Sequence, residues 1–217
     1  MIVAFDLEGT LTTGTTWHGV GEYLRQHGQA GRYGLFYAAH VPGALLVKAG
    51  LLAMQPYKER WLVDLARLLG GLDAAGLTAL GEWVVEHEMW PQRRADALAA
   101  LRAHLDAGDR VIIASGAYEP VARAFAARVG VGEVLSTPFE LQDGHATGRM
   151  AQRLGTGQTK LDSLRGLLNG SVLGAAYGDT AADIPMLEAA GQAVAVYPDA
   201  ALRAYAQAHG WRILDGA

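Results

Sequence analysis

The stretch IVAFDLEGT, residues 2–10, decides how this chain is expected to fold. Its first four residues are apolar, which is typical of a strand buried on both faces of a parallel sheet. Acidic and hydroxyl residues follow at once, from Asp6 to Thr10, where such a strand would end. Open parallel sheets bind ligands at the carboxyl ends of their strands. One segment therefore predicts both the fold class and the position of a site.

Short apolar runs rich in Val, Ile and Ala recur further along the chain. They are VIIAS at 111–115, VLGAAY at 172–177 and AVAV at 193–196. Four stretches have helical spacing and many alanines: 118–129, 159–168, 181–190 and 199–209. Strands that alternate with helices in this way predict an α/β fold with a doubly wound, Rossmann-like parallel sheet.

One long interval breaks this alternation, because no strand pattern occurs between Gly14 and Arg94. Its patterns are all helical, at 16–27, 33–49, 55–69 and 74–89. We therefore predict a helical cap domain of residues 14–94, inserted after the first strand. Residues 1–13 and 95–217 would form the core domain.

Two local signals refine this outline. Pro91 suits the first turn of the helix that returns to the core, because proline lacks the N–H that a first turn leaves unpaired. In FELQDGHATGRM, at 139–150, the Asp143-Gly144 pair between alternating residues predicts a β-hairpin.

The composition limits the classes of function. With 51% hydrophobic and 18% charged residues, the chain can bury one sizeable core. Its net charge of -4 includes no large block of one sign, which argues against a nucleic-acid partner and against a polybasic patch for membrane contact. The absence of cysteine excludes disulfides, thiolate zinc sites and cysteine nucleophiles. No basic segment precedes an apolar run at the start, so we expect a cytoplasmic location.

A weakly charged stretch, YGLFYAAHVPGALLV at 33–47, invites comparison with a membrane span. It is shorter than the roughly 20 apolar residues that a span requires. Arg32 and Lys48 bound it, and Pro42-Gly43 interrupt it. We interpret it as a buried cap helix, with peripheral membrane contact or a dimer face as the alternatives.

Four segments carry chemistry that suits a phosphoryl group. Asp6 and Glu8 follow the first strand, Ser115-Gly116 the second, and Asp179 lies in the GDTAAD segment at 178–183; Lys160 opens a helix. Taken singly, such residues commonly cap helices, form turns or face solvent. Together they supply an oxygen nucleophile, hydrogen-bond donors, a fixed positive charge and hard oxygen ligands for Mg²⁺.

These segments resemble, in order, the four motifs of the haloacid dehalogenase superfamily of phosphatases. They are DLEGTLT at 6–12, SG at 115–116, Lys160 and GDTAADIPML at 178–187. The resemblance is to the branch that contains phosphoserine phosphatase, and it extends over nearly the whole chain. It implies a magnesium-dependent phosphatase with a helical cap after the first motif.

The resemblance also implies roles for individual residues. Asp6 would be the nucleophile and a magnesium ligand, the backbone carbonyl of Glu8 a second ligand, and Asp179 the third. The Glu8 side chain would act as acid and base. It is glutamate where most family members have aspartate, so an altered substrate, slower turnover or phosphotransfer to another acceptor stays open.

The remaining motif residues are implied to hold the phosphate. Ser115 and the N–H of Gly116 would bind phosphate oxygens. Lys160 would bridge the phosphate and Asp6, and Asp183 would support Lys160 or a metal-bound water. Ala182 stands where typical phosphoserine phosphatases have asparagine, which weakens the case for phosphoserine itself.

Residues that select the substrate are expected in the cap, opposite the sheet. The charged candidates are Glu22, Arg25, Lys58, Glu59, Arg60, Asp64 and Arg67. We favour Arg60 as a bidentate fork for an anionic group, together with Glu22 and the aromatic Trp17. A solvated helix face is the alternative for the charged residues at 60, 64 and 67.

The sequence thus predicts an Mg²⁺-dependent hydrolase of small phosphomonoesters that works through an aspartyl-phosphate. Its partner would be a small phosphorylated metabolite, and the chain a monomer or homodimer. The alternatives are a non-catalytic or phosphotransfer-type phosphate-binding module on the same fold, or a metal-independent dehalogenase.

Overall fold

A six-stranded parallel sheet forms the centre of the molecule in this computed structural model, which describes residues 1–153 and 155–216. Leu154 and Ala217, both within the predicted core range, lie outside the described residues. The sheet strands are β1 (Ile2–Phe5), β2 (Arg110–Tyr118), β3 (Glu133–Thr137), β6 (Leu173–Gly178), β7 (Ala190–Val196) and β8 (Arg212–Leu214). Their order is β3-β2-β1-β6-β7-β8, with β1 near the middle. A separate antiparallel hairpin consists of β4 (Phe139–Gln142) and β5 (His145–Met150).

Helices cover both faces of the sheet, so the predicted doubly wound α/β fold is confirmed. They are α1 (Thr16–Leu24), α2 (Ala30–Lys48), α3 (Met54–Ala66), α4 (Ala74–Val84), α5 (Ala95–Asp106), α6 (Glu119–Val129), α7 (Gly157–Leu168), α8 (Ile184–Glu188) and α9 (Ala200–Ala208). In β1, Val3 and Phe5 face one apolar cluster and Ala4 the other, as the two-residue period of a strand requires. Helices α5 and α6 contribute to the first cluster, and α7, α8 and α9 to the second.

The chain between β1 and β2 is helical, as predicted, and contains α1 to α5. Helix α4 packs against α6 so closely that a Cβ at Gly81 would lie 2.2 Å from the carbonyl oxygen of Pro120. Apolar side chains of the inserted helices and of the core therefore belong to one continuous cluster. The division into two domains at residues 14 and 94 stays a prediction.

The inserted helices leave and rejoin the core at one place. The N–H of Thr13 donates to the carbonyl of Gln92 at 3.0 Å, and Arg94 N–H donates to Leu11 at 2.9 Å. An antiparallel bridge joins Thr12 to Arg93 between them. The prediction for Pro91 was wrong, because α5 begins only at Ala95 and Pro91 lies in the preceding turn.

Helix α2 is not the buried cap helix that we predicted. Tyr33 is its one buried residue, and most of its other side chains are exposed. It packs on one side against α3, where the Tyr57 hydroxyl donates to the carbonyl of His40 at 2.7 Å. The helix continues through Pro42. Among the described residues, no helix combines the length and the hydrophobicity that crossing a membrane requires.

The predicted hairpin is confirmed, with Asp143 and Gly144 at φ 50° and 78° in its turn. Strand β2 is longer than predicted, and its pairing with β3 shifts register between Ala114 and Tyr118. Ser115-Gly116 therefore lies at an irregularity within a strand, instead of after its end. Such irregularities turn side chains and backbone groups out of the ordinary pattern of a sheet.

Candidate active site

A buried lysine connects two aspartates at the carboxyl edge of the sheet. The Nζ atom of Lys160 donates to Oδ1 of Asp6 at 2.6 Å and to Oδ1 of Asp183 at 2.7 Å. Asp6 directly follows β1, Lys160 lies in the first turn of α7, and Asp183 follows β6. All three residues are buried. The fold thus brings together residues that are 154 and 23 positions apart in the sequence.

The Asp179 carboxylate lies directly beside the backbone of Gly9, in the space that a side chain at position 9 would occupy. A Cβ on Gly9 would lie 1.9 Å from Oδ2 of Asp179, and Gly9 has a φ of +93°. The Thr10 hydroxyl donates to Oδ1 of Asp179 at 3.2 Å. The loop after β1 therefore shapes the seat of this carboxylate, and Thr10 is a site residue that sequence reasoning did not single out.

Carboxylate oxygens of Asp6, Asp179 and Asp183 lie within 4.8 Å of one another. With Lys160, and with all four side chains ionised, the group carries a net charge of -2. Burial raises the pKa of Asp6 to about 7, although Lys160 opposes the shift. Burial, followed by repulsion from Asp6, raises the pKa of Asp179 to about 8. The arrangement suits a divalent cation, which would neutralise this charge.

Asp183 is already well supplied with hydrogen bonds. Besides Lys160, its Oδ2 accepts from the N–H groups of Asp179 and Thr180, both at 3.2 Å, and from the Thr180 hydroxyl at 3.3 Å. These contacts form a capping box around residues 181–183. Asp183 therefore positions Lys160 and the loop, whereas Asp6 and Asp179 keep oxygen atoms available for a cation.

The Glu8 carboxylate is held at the start of α1. Its Oε1 accepts from the backbone N–H of Thr16 at 2.8 Å and also from the Thr16 hydroxyl. Burial raises the pKa of Glu8, and the two hydrogen bonds from Thr16 partly offset this. A raised pKa lets a carboxyl group retain and donate a proton closer to neutral pH. Thr16 is thus a supporting residue that the sequence pattern did not reveal.

Ser115 and Gly116 lie at the irregularity of β2 and line the same cleft. The Oγ atom of Ser115 accepts from the N–H of Ala117 at 3.2 Å. A Cβ on Gly116 would approach the Thr156 methyl group to 3.0 Å. The backbone here therefore passes close to the loop before α7, which brings Ser115 onto the side of the cleft that carries Lys160.

The cleft has a volume of about 300 Å³ and lies between the sheet edge and α3. That size accommodates a small ligand. The inserted helices contribute Trp17 from α1 and Gln55, Lys58, Glu59 and Leu62 from α3. The Thr156 hydroxyl donates to Oε1 of Glu59 at 2.6 Å, which joins α3 to the loop before α7.

The structure brings every predicted motif residue into this cleft, but not all of the predicted cap residues. Trp17 lines it, whereas Glu22 and Arg60 do not. Glu22 forms an ion pair with Arg25 on α1. The Arg60 side chain is 82% exposed and lies 3.7 Å from Asp64.

Lys58 and Glu59, which precede Arg60 in sequence, line the cleft in its place. The spacing of Gln55, Lys58, Glu59 and Leu62 is three to four residues, which puts them on one side of α3. That stripe is the sequence signal that distinguishes them from Arg60. Which side of α3 faces the cleft depends on the sheet edge opposite the helix, and the sequence of α3 alone does not determine it.

Comparison with known proteins agrees with this geometry. The haloacid dehalogenase-like hydrolase family profile matches residues 3–188, and the chain belongs to this family. A phosphoserine phosphatase from Halobacterium salinarum is 32% identical over 203 residues, which cover 91% of this chain and 86% of that protein. A crystal structure of a protein with unknown function from Bordetella pertussis superposes with a TM-score of 0.83 at 26% identity, covering 99% and 97% of the two chains.

Other relatives are larger proteins. A phosphoserine phosphatase from Mycobacterium tuberculosis is 36% identical over 153 residues, which represent 67% of this chain and 48% of that protein. The chain spans about half the length of this relative and of the mycobacterial hydrolases that match similarly. Phosphatases and phosphoserine phosphatases thus recur among the proteins to which this chain is similar.

Proposed function

We propose that this protein hydrolyses small phosphomonoesters through a phosphorylated Asp6. The observation that carries the proposal is the contact of 2.6 Å between Lys160 Nζ and Oδ1 of Asp6 at the floor of the cleft. The lysine offsets the repulsion between an attacking carboxylate and an anionic phosphate. It also directs one oxygen of Asp6, so that the other stays available for attack.

In the first step, the free oxygen of Asp6 attacks the phosphorus atom, and the bond from phosphorus to the substrate oxygen breaks. The leaving oxygen takes a proton from the carboxyl group of Glu8, whose raised pKa favours the protonated form. Ser115 and the N–H of Gly116 donate to the phosphoryl oxygens, together with Lys160. These donors stabilise charge where it develops in the transition state.

In the second step, water hydrolyses the aspartyl-phosphate. Glu8, now ionised, removes a proton from the attacking water, and the bond between Asp6 and phosphorus breaks. Inorganic phosphate leaves, and Glu8 is protonated again for the next cycle. The hydrogen bonds from Thr16 hold the Glu8 side chain near the leaving oxygen in the first step and near the attacking water in the second.

Asp6, Asp179 and the backbone carbonyl of Glu8 would hold Mg²⁺. The excess negative charge beside Asp179 and the short distances between carboxylates support this assignment. A bound magnesium ion supplies positive charge against the phosphoryl oxygens and lowers the repulsion that the nucleophile meets. Asp183 would support Lys160.

The substrate belongs to the small phosphorylated metabolites. A cleft of about 300 Å³ supports this class. The relatives named for phosphoserine make phosphoserine one candidate. Lys58 and Glu59 carry opposite charges side by side on α3, and they are suited to a leaving group that bears both an anionic and a cationic substituent.

A chromogenic phosphomonoester and a panel of phosphorylated amino acids, sugars and alcohols test the proposal. We expect phosphate release only with Mg²⁺, and Asp6→Asn should lower kcat by at least about a thousandfold, because it removes the nucleophile. Asp162→Asn, the same change at an exposed position of α7, is the matched control. Full activity of the Asp6 variant would refute the proposal, and phosphate release without metal would refute the requirement for Mg²⁺.

A further inference from the structure

Helix α2 from Leu35 onward and its connection to α3 expose an unusual number of apolar side chains. The structure describes twelve exposed large hydrophobic side chains, and seven of them lie within residues 35–54, here named the apolar tip. They are Leu35, Tyr37, Leu45, Leu46, Leu51, Leu52 and Met54. Leu51 is 72% and Leu45 61% exposed. Scattered exposed leucines are ordinary, but exposed apolar side chains concentrated in one segment point to an interaction surface.

Charge is distributed very unevenly around this tip. Between Tyr33 and Tyr57, Lys48 is the one formally charged residue. The wider segment of residues 26–58 contains three basic and no acidic residues, a net charge of +3. Since the whole chain has a net charge of -4, the remaining residues carry -7.

All three basic residues of this segment are exposed: Arg32, Lys48 and Lys58. The charged residues that flank the segment are mostly paired with one another: Glu22 with Arg25, and Asp64 with Arg60 and Arg67. The surface around the tip is therefore basic, on a protein that is otherwise acidic.

We propose that the apolar tip docks peripherally on an anionic lipid surface. Its leucines would enter the boundary between headgroups and acyl chains, and the surrounding basic residues would contact lipid phosphates. Apolar insertion and electrostatic attraction together give the binding strength of such interfacial segments. Each Lys or Arg near an anionic lipid surface strengthens this attraction.

A second copy of this chain would cover the same leucines less favourably. A symmetric dimer formed through the tip would bring two segments of charge +3 against each other. Like charges across an interface oppose association. Lipid phosphates instead neutralise this charge, so charge complementarity selects the lipid surface.

Docking would also place the cleft beside the lipid. Helix α3 begins at Met54, the last residue of the apolar tip, and Gln55 in its first turn lines the cleft. Lys58 follows one turn later on the same side. The apolar tip and the cleft thus meet at the start of α3.

Vesicle sedimentation with the purified full chain tests this proposal. Vesicles would contain phosphatidylcholine alone or phosphatidylcholine with about 30% phosphatidylglycerol, at low salt. We expect the protein to sediment with the anionic vesicles, and salt at about 0.5 M to release most of it, because ionic screening weakens the attraction. A protein that stays in the supernatant with both kinds of vesicle would overturn the proposal.

The double variant Leu45→Glu with Leu51→Glu separates docking from general stickiness. It should lower the partition coefficient for anionic vesicles by at least about tenfold, because charged side chains enter the apolar region at high cost. Leu167→Glu with Val172→Glu adds the same charge at exposed positions outside the inserted helices, and this variant should bind vesicles as the unaltered protein does. Circular dichroism establishes that both variants fold.

Two further outcomes count against the lipid surface. Equal loss of binding in both double variants would assign it to net charge alone. A dimer in light scattering that Leu45→Glu with Leu51→Glu converts to a monomer would assign the tip to a second copy. Phosphate release from soluble substrates is measured separately, so failure of docking and failure of the proposed phosphatase activity are distinguishable.

Discussion

The two walls of the cleft are constructed differently. On the sheet side, Asp6, Lys160 and Asp183 are buried and hold one another at 2.6 and 2.7 Å. On the helical side, Gln55 and Lys58 are exposed residues of α3. Buried charges that contact each other have little freedom to move or to be replaced, whereas exposed side chains have both. In the proposed mechanism, the sheet side therefore fixes the chemistry, and the helical side is free to determine the substrate.

Replacement of Lys160 by methionine tests the sheet side of the cleft and should have the largest effect on kcat. It leaves Asp6 and Asp183 without their shared partner, and we expect kcat to fall by about a thousandfold or more. Thermal stability should fall as well, because buried carboxylates lose their counter-charge. Arg165→Met on the exposed side of α7 is the control, with kcat and melting temperature as measurements. An active Lys160 variant would mean that the sheet side does not fix the chemistry.

Replacement of Glu8 by glutamine should have the next largest effect, and it should depend on the leaving group. For an alkyl phosphate, whose leaving oxygen needs a proton, we expect kcat to fall by about a hundredfold to a thousandfold. For p-nitrophenyl phosphate the first step needs little proton transfer, so the burst of nitrophenol should survive while later turnovers slow. Equal losses in the burst for both substrates would contradict the assigned role.

The pH dependence of stability tests the acidic group without any assay of activity. Folding raises the pKa of Asp6 to about 7 and of Asp179 to about 8, from 3.8. The folded state thus binds protons more tightly than the unfolded state, so without metal its stability should fall as pH rises from about 4 to about 8.

Magnesium should reverse this trend, since it binds the ionised carboxylates. At a hundredfold excess over its Kd, near pH 8, we expect the melting temperature to rise by about 5 to 10 °C, and by less at pH 6. Differential scanning fluorimetry measures the shift, with Asp179→Asn as the variant that should lose it. A shift that is equal at both pH values would argue against Asp6 and Asp179 as ligands.

Replacement of Lys58 by alanine should have the smallest effect and should fall on KM. Loss of an exposed cation of the cleft wall is expected to raise KM about fivefold and to change kcat less than twofold. Arg60→Ala is the matched control, because Arg60 lies on the same helix but outside the cleft. Equal effects of the two variants on KM would mean that the side of α3 that faces the cleft does not contribute specially to substrate binding.

The sequence predicted the strands and the residues at their carboxyl ends, because the residue types of a buried strand depend directly on its position in the sheet. Buried strands have short apolar runs, and their carboxyl ends meet at one edge, so Asp6, Ser115 and Asp179 could be placed together before any coordinates. Strand β3 (Glu133–Thr137) was missed because it has only two large apolar residues among polar ones. Strand β8 (Arg212–Leu214) was missed because three residues are too few to establish a period.

The inserted helices were harder to predict, because their packing partners are distant in sequence. The many apolar residues of α2 suggested that this helix is buried. Among the described residues, however, α3 covers one side of α2, and most side chains on its other sides are exposed. Selection between Lys58 and Arg60 depends on a helix rotation of about 200°, at about 100° per residue, which the sequence of α3 alone does not determine. The support of Glu8 by Thr16 and the seat of Asp179 over Gly9 likewise require coordinates.

The side-by-side connections at Thr13 and Gln92 have a consequence for how such a molecule diversifies. The chain leaves the core at Thr13 and returns at Gln92, and one hydrogen bond joins these two residues. The inserted helices therefore begin and end at the same place. A different inserted segment between these two residues would leave the path of every strand unchanged, so one sheet edge can be combined with insertions of different specificity.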